Sequence, residues 1–321
     1  MWLDILLSVV GAVLVLWGAD KLTDGSVALA RRFLIPEMVI GLTIVAFGTS
    51  LPEFVVSLLA SLDGVPAMSI GNVVGSNLFN TLVIVGVSAL CFPIAISNAT
   101  VAKDIPLSVL ASTALMALAL DVQVNGGTDD VLSRGDGVVM LCFFAIFMAY
   151  TFSLARQGTA TDTAEDAQGG GAMSLWRISL YIIGGIAALI GGGELFVDGA
   201  TGIARGLGMS EAVIGLTLAA GGTSLPELAT AIVAARKGQS AMAIGNVIGS
   251  NLFNIFWILG FCATVFPLPV TGLTTLDFVA LVLSGLLFWF FARTNHRIVR
   301  WEGAVLTGCY VAYIGYLIMT I

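Results

Sequence analysis

The chain holds 321 residues, 58% of them hydrophobic and 10% charged, with a formal net charge of −7. A water-soluble domain carries about 25% charged residues, so this composition excludes an ordinary soluble fold and asks for lipid as the solvent. No basic run suggests nucleic acid, and Cys91, Cys142, Cys262 and Cys309 match no zinc or redox spacing and read as buried thiols.

A membrane-spanning helix needs about 20 mostly apolar residues. In chain order, ten stretches qualify: 3–20, 37–62, 68–95, 105–121, 137–155, 176–195, 211–235, 241–266, 275–292 and 302–320. The opening Met1, Trp2, Leu3, Asp4 lacks the positive n-region of a secretory signal, so the first stretch reads as a retained span. Solid apolar runs without alternation predict helices rather than a barrel. The only long polar connection, Arg156 to Ala172, reads as a flexible linker too short for a folded regulatory domain. With the N-terminus outside, Lys21, Arg31, Arg32, Lys103, Arg156, Arg177, Arg236, Lys237, Arg293, Arg297 and Arg300 fall on the cytoplasmic side, and only Arg134 and Arg205 outside. Eleven against two is a strong positive-inside bias. It places both termini outside and the central linker in the cytoplasm.

Residues 41–86 and 215–260 align without a gap at an offset of 174, with 26 of 46 positions identical by direct comparison. The match extends upstream, where Asp20, Asp24 and Gly25 align with Glu194, Asp198 and Gly199. The chain therefore reads as an all-α integral membrane protein of ten transmembrane helices in two inverted five-helix repeats. Residues 1–155 form the first repeat around motif 41–86, residues 156–175 the linker, and residues 176–321 the second repeat around motif 215–260. Five is odd, so the second copy enters the bilayer in the opposite sense, and such repeats place a transporter's substrate site near the midplane.

Glu53 and Glu227 occupy equivalent places deep in their spans. A carboxylate there costs at least about 2.5 kcal/mol, so a matched pair points to a cation site. Thr49 and Ser50 share a helix face with Glu53, and Thr223 and Ser224 share one with Glu227. Asn72, Ser76 and Asn80 form a polar stripe that Asn246, Ser250 and Asn254 repeat; Asn77 and Asn251 lie off it, and either join the site or bond backbone and neighbouring helices. Pro52 and Pro226 remove an N–H, which frees the carbonyls of Gly48 and Gly222. Gly71, Gly75, Gly245 and Gly249 form small-residue steps assigned to helix packing. All these ligands are oxygens, and His296 lies in a loop. Oxygen-only sites suit hard cations, and a flexible cage of carboxylates, hydroxyls, amides and carbonyls favours calcium over magnesium.

GTSLPE at Gly48 to Glu53 with Gly71 to Asn80, and again at Gly222 to Glu227 with Gly245 to Asn254, resembles the alpha repeats of the sodium/calcium exchanger family, within the cation/calcium exchanger superfamily. The resemblance implies a site that one calcium or several sodium ions occupy alternately. It makes Glu53, Glu227, Thr49 and Thr223 calcium ligands. Ala46 and Ala220 would offer carbonyls to sodium, Ser50, Ser76, Ser224 and Ser250 would complete the sodium sites, and Asn80 and Asn254 would face the centre. It further implies that the first and sixth spans slide to alternate access. Several relatives carry aspartate at the place of Asn254, notably potassium-dependent ones, so an amide here argues against potassium coupling.

The reading is of a prokaryotic multi-pass protein of the plasma (inner) membrane, exchanging sodium for calcium, with no cofactor and no obligate protein partner. Calcium/proton exchange on the same fold is the alternative. No nucleophile–base pair or cofactor motif suggests an enzyme.

Overall fold

The computed structural model describes residues 2–158, 173–207 and 220–320. Eight of its helices are long and apolar enough to cross a membrane, or nine if the interrupted pair Glu37–Thr49 and Leu51–Leu62 makes one span. The helices are α1 (Trp2–Phe33), α2 (Glu37–Thr49), α3 (Leu51–Leu62), α4 (Pro66–Cys91), α5 (Thr100–Ala119), α6 (Asp121–Asn125), α7 (Arg134–Gly158), α8 (Leu175–Gly206), α9 (Leu225–Arg236), α10 (Ser240–Val265), α11 (Thr275–Asn295) and α12 (Arg300–Thr320). Nine of the ten expected stretches fall on these spans. The remaining one, 211–235, lies partly outside the described residues, and its described part holds a turn at Ala220–Gly222 and α9. The polar linker also lies largely outside them.

Packing divides the chain into two compact units that cut across the sequence repeats: Met1–Ser50 with Tyr150–Asn246, and Leu51–Ala149 with Val247–Ile321.

In the first unit, α1 and α8 run antiparallel along a glycine seam. Apolar side chains gain little by leaving lipid for one another, so membrane helices associate through close backbone approach at small residues. Gly11, Gly18 and Gly25 of α1 recur at the 174 offset as Gly185, Gly192 and Gly199 of α8. A Cβ on Gly18 would lie 2.8 Å from the Gly185 carbonyl oxygen, and one on Gly192 would lie 2.9 Å from that of Gly11. Each helix has 32 residues, about 48 Å at 1.5 Å per residue, against a hydrocarbon core of about 30 Å. The expected stretches 3–20 and 176–195 stopped short because Asp20, Lys21 and Asp24, and Glu194 and Asp198, look like span ends. On α1 the helix continues because Lys237 answers the acids, at 2.7 Å from Asp20 and 2.6 Å from Asp24. Around the seam, Val15, Ala19, Leu22 and Leu189 pack with Ile40, Val45, Ala229 and Val233. Gly245 behaves as expected for a packing glycine, since a Cβ there would lie 2.7 Å from the Met38 carbonyl. Gly71 and Gly75 meet nothing within 4 Å among the described residues.

In the second unit, four two-residue strands exchange between the repeats. β1 (Ile94–Ala95) pairs with β4 (Arg297–Ile298), and β2 (Val131–Leu132) with β3 (Leu268–Pro269). β1 and β3 correspond at the 174 offset, so the first strand of each repeat pairs with the second strand of the other. Glycines follow the same exchange: Gly86 abuts Gly303, and its counterpart Gly260 abuts Gly137. Of the four cysteines expected to be buried, only Cys262 is; Cys91, Cys142 and Cys309 are exposed. They sit on outward faces of apolar helices, where a thiol behaves as a small hydrophobe facing lipid.

The seam is testable. Gly18→Ala forces backbone apart and should lower stability by about 1–3 kcal/mol, as overpacking does. Gly184→Ala, whose Cβ meets nothing within 4 Å among the described residues, should be neutral or slightly stabilising. Thermal unfolding in detergent measures both, and equal melting temperatures would contradict the seam.

Candidate functional site

Both GTSLPE segments break their helices in the same way. Proline cannot donate to the preceding turn, and the residue two before it turns aside: Ser50 has φ −86° and ψ 7°, Ser224 φ −90° and ψ 6°. Each break starts a new helix with proline in its first turn, where the missing N–H costs nothing. Each also places its glutamate in that first turn, where the positive end of the helix dipole favours a negative charge. Ser-Leu-Pro-Glu has the spacing of a capping box, but Ser224 does not cap α9. Ser50 donates instead to Glu227 Oε1 at 3.0 Å. A hydroxyl of the first repeat thus reaches the acid of the second.

Within the first unit, Thr49, Ser50, Ser224 and Glu227 are buried, as is Ala46. Thr49 Oγ1 lies 3.1 Å from the Val45 carbonyl and 3.2 Å from Asn246 Oδ1. The Ala46 carbonyl accepts from Ser50 N at 3.0 Å and from Thr49 Oγ1 at 3.4 Å. Thr223 Oγ1 is buried without a hydrogen-bond partner among the described residues. Of Ala220 only the backbone is described. Gly48 and Gly222 leave no room for a Cβ against Ile186 and Val197 of α8, so the same helix packs against both breaks.

Within the second unit, Glu53 is 1% exposed, as is Glu227 in the first. Asn72 Nδ2 donates to the Glu53 carbonyl at 3.2 Å and to Ser57 Oγ at 3.0 Å. Its counterpart Asn246 has Ala231 in the place of Ser57, and Asn246 Nδ2 is left without a partner among the described residues. The asparagines off the stripe form a cross-repeat network. Asn80 Nδ2 donates to Asn251 Oδ1 at 3.1 Å, and Asn254 Nδ2 to Asn77 Oδ1 at 2.9 Å. These two bonds interchange at the 174 offset. The symmetry stops where the side chains differ: Asn251 Nδ2 donates to Thr81 Oγ1 at 2.9 Å, whereas Ile255 takes the place of Thr81 in the second repeat and Asn77 Nδ2 turns to the Asn251 carbonyl at 3.1 Å. With both amide nitrogens engaged, Asn80 Oδ1 and Asn254 Oδ1 remain buried without donors among the described residues, as do Ser76 Oγ and Ser250 Oγ. π-helical turns at Asn80–Ile84 and Phe253–Leu259 distort both repeats here, as is frequent at functional sites.

Chemically, each unit holds one of the two glutamate carboxylates, with amide oxygens and hydroxyls, away from water. Among the described residues no three His, Cys, Asp or Glu side chains cluster, so the oxygens beyond the acids are those of amides, hydroxyls and backbone. Sequence reasoning left Asn77 and Asn251 open, and they bond across the repeats. It missed Ser57 and Thr81; Ser57 stands one helical turn beyond Glu53, a spacing that could have marked it. The π-turns had no sequence signal.

Residues 3–153 and 178–319 match the model of the family described as sodium/calcium exchanger protein. The chain is 36% identical to the inner membrane protein YrbG of Escherichia coli, covering 99% of this chain and 97% of that one. It is 31% identical to the sodium/calcium exchanger MaX1 of Methanosarcina acetivorans, over 97% of each. Among solved structures, the sodium-calcium exchanger NCX_Mj, soaked with sodium and strontium, superposes with a TM-score of 0.82 at 34% identity over 98% of both chains. The chain is a multi-pass membrane protein and belongs to the sodium/calcium exchanger family.

Proposed function

We propose that this chain is a secondary antiporter that exchanges sodium for calcium by alternating access, with ten spans in two inverted five-helix repeats. One observation carries the reading. At equivalent positions of both repeats, Ser76 and Ser250 Oγ, and Asn80 and Asn254 Oδ1, are buried oxygens that no protein donor satisfies among the described residues. Buried polar atoms are nearly always hydrogen-bonded. Lone pairs left open in the unit that carries Glu53 fit a cation as the missing partner.

Glu53, Glu227, Thr49 and Thr223 are the proposed calcium ligands. Two carboxylates match a divalent ion in charge, and calcium accepts 6–8 oxygens in flexible geometry. Sodium uses the hydroxyls of Ser50, Ser76, Ser224 and Ser250 and the carbonyls of Ala46 and Ala220, with Asn80 and Asn254 at the centre. The NCX_Mj structures, which came from soaks with sodium, calcium or strontium, and the name of MaX1 support these ions. The protein lies in the plasma (inner) membrane with both termini outside, as the positive-inside count indicates. No cofactor or protein partner is needed for this exchange.

Radioactive calcium uptake into proteoliposomes tests the proposal. Uptake should follow an imposed sodium gradient and fall to background when choline replaces sodium. Uptake that follows a proton gradient instead would make calcium/proton exchange the activity and overturn this one.

The amide at Asn254 generates a second test. It donates to Asn77 Oδ1, so in Asn254→Asp the new carboxyl must be protonated to keep that bond. At low pH the variant should resemble the wild type. As the pH rises, the new charge should appear and transport should diverge, giving a dependence between about pH 5 and 8. A variant-to-wild-type ratio that stays flat across that range would contradict this role of Asn77.

A further inference from the structure

A cavity of about 480 Å³ opens at one end of the second unit, lined by Asn98, Val101, Ala102, Trp289, Arg293 and His296. Its walls are braced by backbone. Ile96 N donates to the His296 carbonyl at 2.8 Å next to the β1–β4 pairing, His296 holds a left-handed turn at φ 50°, and Trp289 Nε1 donates to the Val101 carbonyl at 2.8 Å. The Arg293 guanidinium stacks over the Trp289 ring at 5.4 Å. A cation–π contact by itself consumes no N–H donor, and the guanidinium fork matches phosphate oxygens in geometry. Among the described residues no carboxylate pairs with Arg293. Glu302, not far along the chain, is held by Val299 N and Thr294 Oγ1.

The duplication supplies an internal control. At the 174 offset, Trp289 and Arg293 correspond to Leu115 and Ala119, and Asn98 to Gly272. Leu115 and Ala119 are fully buried. The repeat therefore folds without an aromatic and basic pair at this place, and only one copy carries it. That copy lies beside Lys103, Arg297 and Arg300, on the face that the positive-inside count makes cytoplasmic. Tryptophan and arginine gather at the headgroup level of a bilayer, and basic cavities between helices on that side hold anionic headgroups.

We propose that this cavity binds the phosphate of an anionic phospholipid from the cytoplasmic leaflet, with Arg293 as its main ligand. The inference is independent of which ions the protein carries.

Native mass spectrometry of the purified full chain, titrated with phosphatidylglycerol or phosphatidylcholine, tests it. Phosphatidylglycerol should be retained in preference. Arg293→Gln should weaken that retention about fivefold, the worth of one basic side chain at an anionic surface, and Arg177→Gln should leave it unchanged. Ala102→Trp, which fills the cavity from an exposed wall without removing charge, should weaken it as well and guards against misfolding of the arginine variant. Equal retention of both lipids, or undiminished phosphatidylglycerol binding in both cavity variants, would overturn the proposal. Displacement of phosphatidylglycerol by millimolar inorganic phosphate would assign the cavity to free phosphate and overturn the lipid assignment.

Discussion

Taking a carboxylate out of water costs several kcal/mol unless something answers its charge, and this chain does so twice, at Glu53 and Glu227. The surrounding architecture lowers that cost. Proline breaks each helix so that the acid sits in the first turn of a new one, where the backbone dipole favours an anion. A serine hydroxyl of the opposite repeat donates to one of them. In the second unit, Asn80 and Asn254 keep buried amide oxygens whose nitrogens bond elsewhere. Under the proposed function, that is the environment an incoming cation completes, and one that different hard cations can complete in turn.

The asparagine network shows how such an environment is held open. An amide can present either its oxygen or its nitrogen, and the choice is set by its neighbours. Because Asn80 and Asn254 each spend their nitrogen on an asparagine of the other repeat, the oxygen is what they have left to offer. Asn77 and Asn251 thus fix which way the other two amides face. The seam between α1 and α8 makes a different contribution. Backbone contact at glycines allows two long helices to lie against one another with little side-chain interlocking.

Much of this was legible in the sequence because duplication doubles every signal. GTSLPE and the asparagine-rich segment recur at one offset, so the helical membrane class, the broken helices and the candidate oxygens could be read from spacing. Helix ends were less legible: Asp20 and Asp24 look like the end of a span until Lys237, more than 200 residues away, is seen to pair with them. The π-turns and the strand exchange between β1 and β4 carry no local pattern, since both arise from how the two repeats fit together. The departures from symmetry were visible only as substitutions, Ala231 for Ser57 and Ile255 for Thr81, and became meaningful once the hydrogen bonds showed that the first leaves Asn246 Nδ2 without a partner among the described residues and the second accompanies the turn of Asn77 Nδ2 to a backbone carbonyl.

The central claim is that the two buried acids exist to hold calcium. Calorimetric titration of calcium into the purified protein and into Glu53→Gln and Glu227→Gln tests it most directly. A glutamine keeps the shape of the side chain and removes its charge, so both variants should remain folded and lose measurable calcium binding. Calcium affinity close to wild type in both variants would contradict the account.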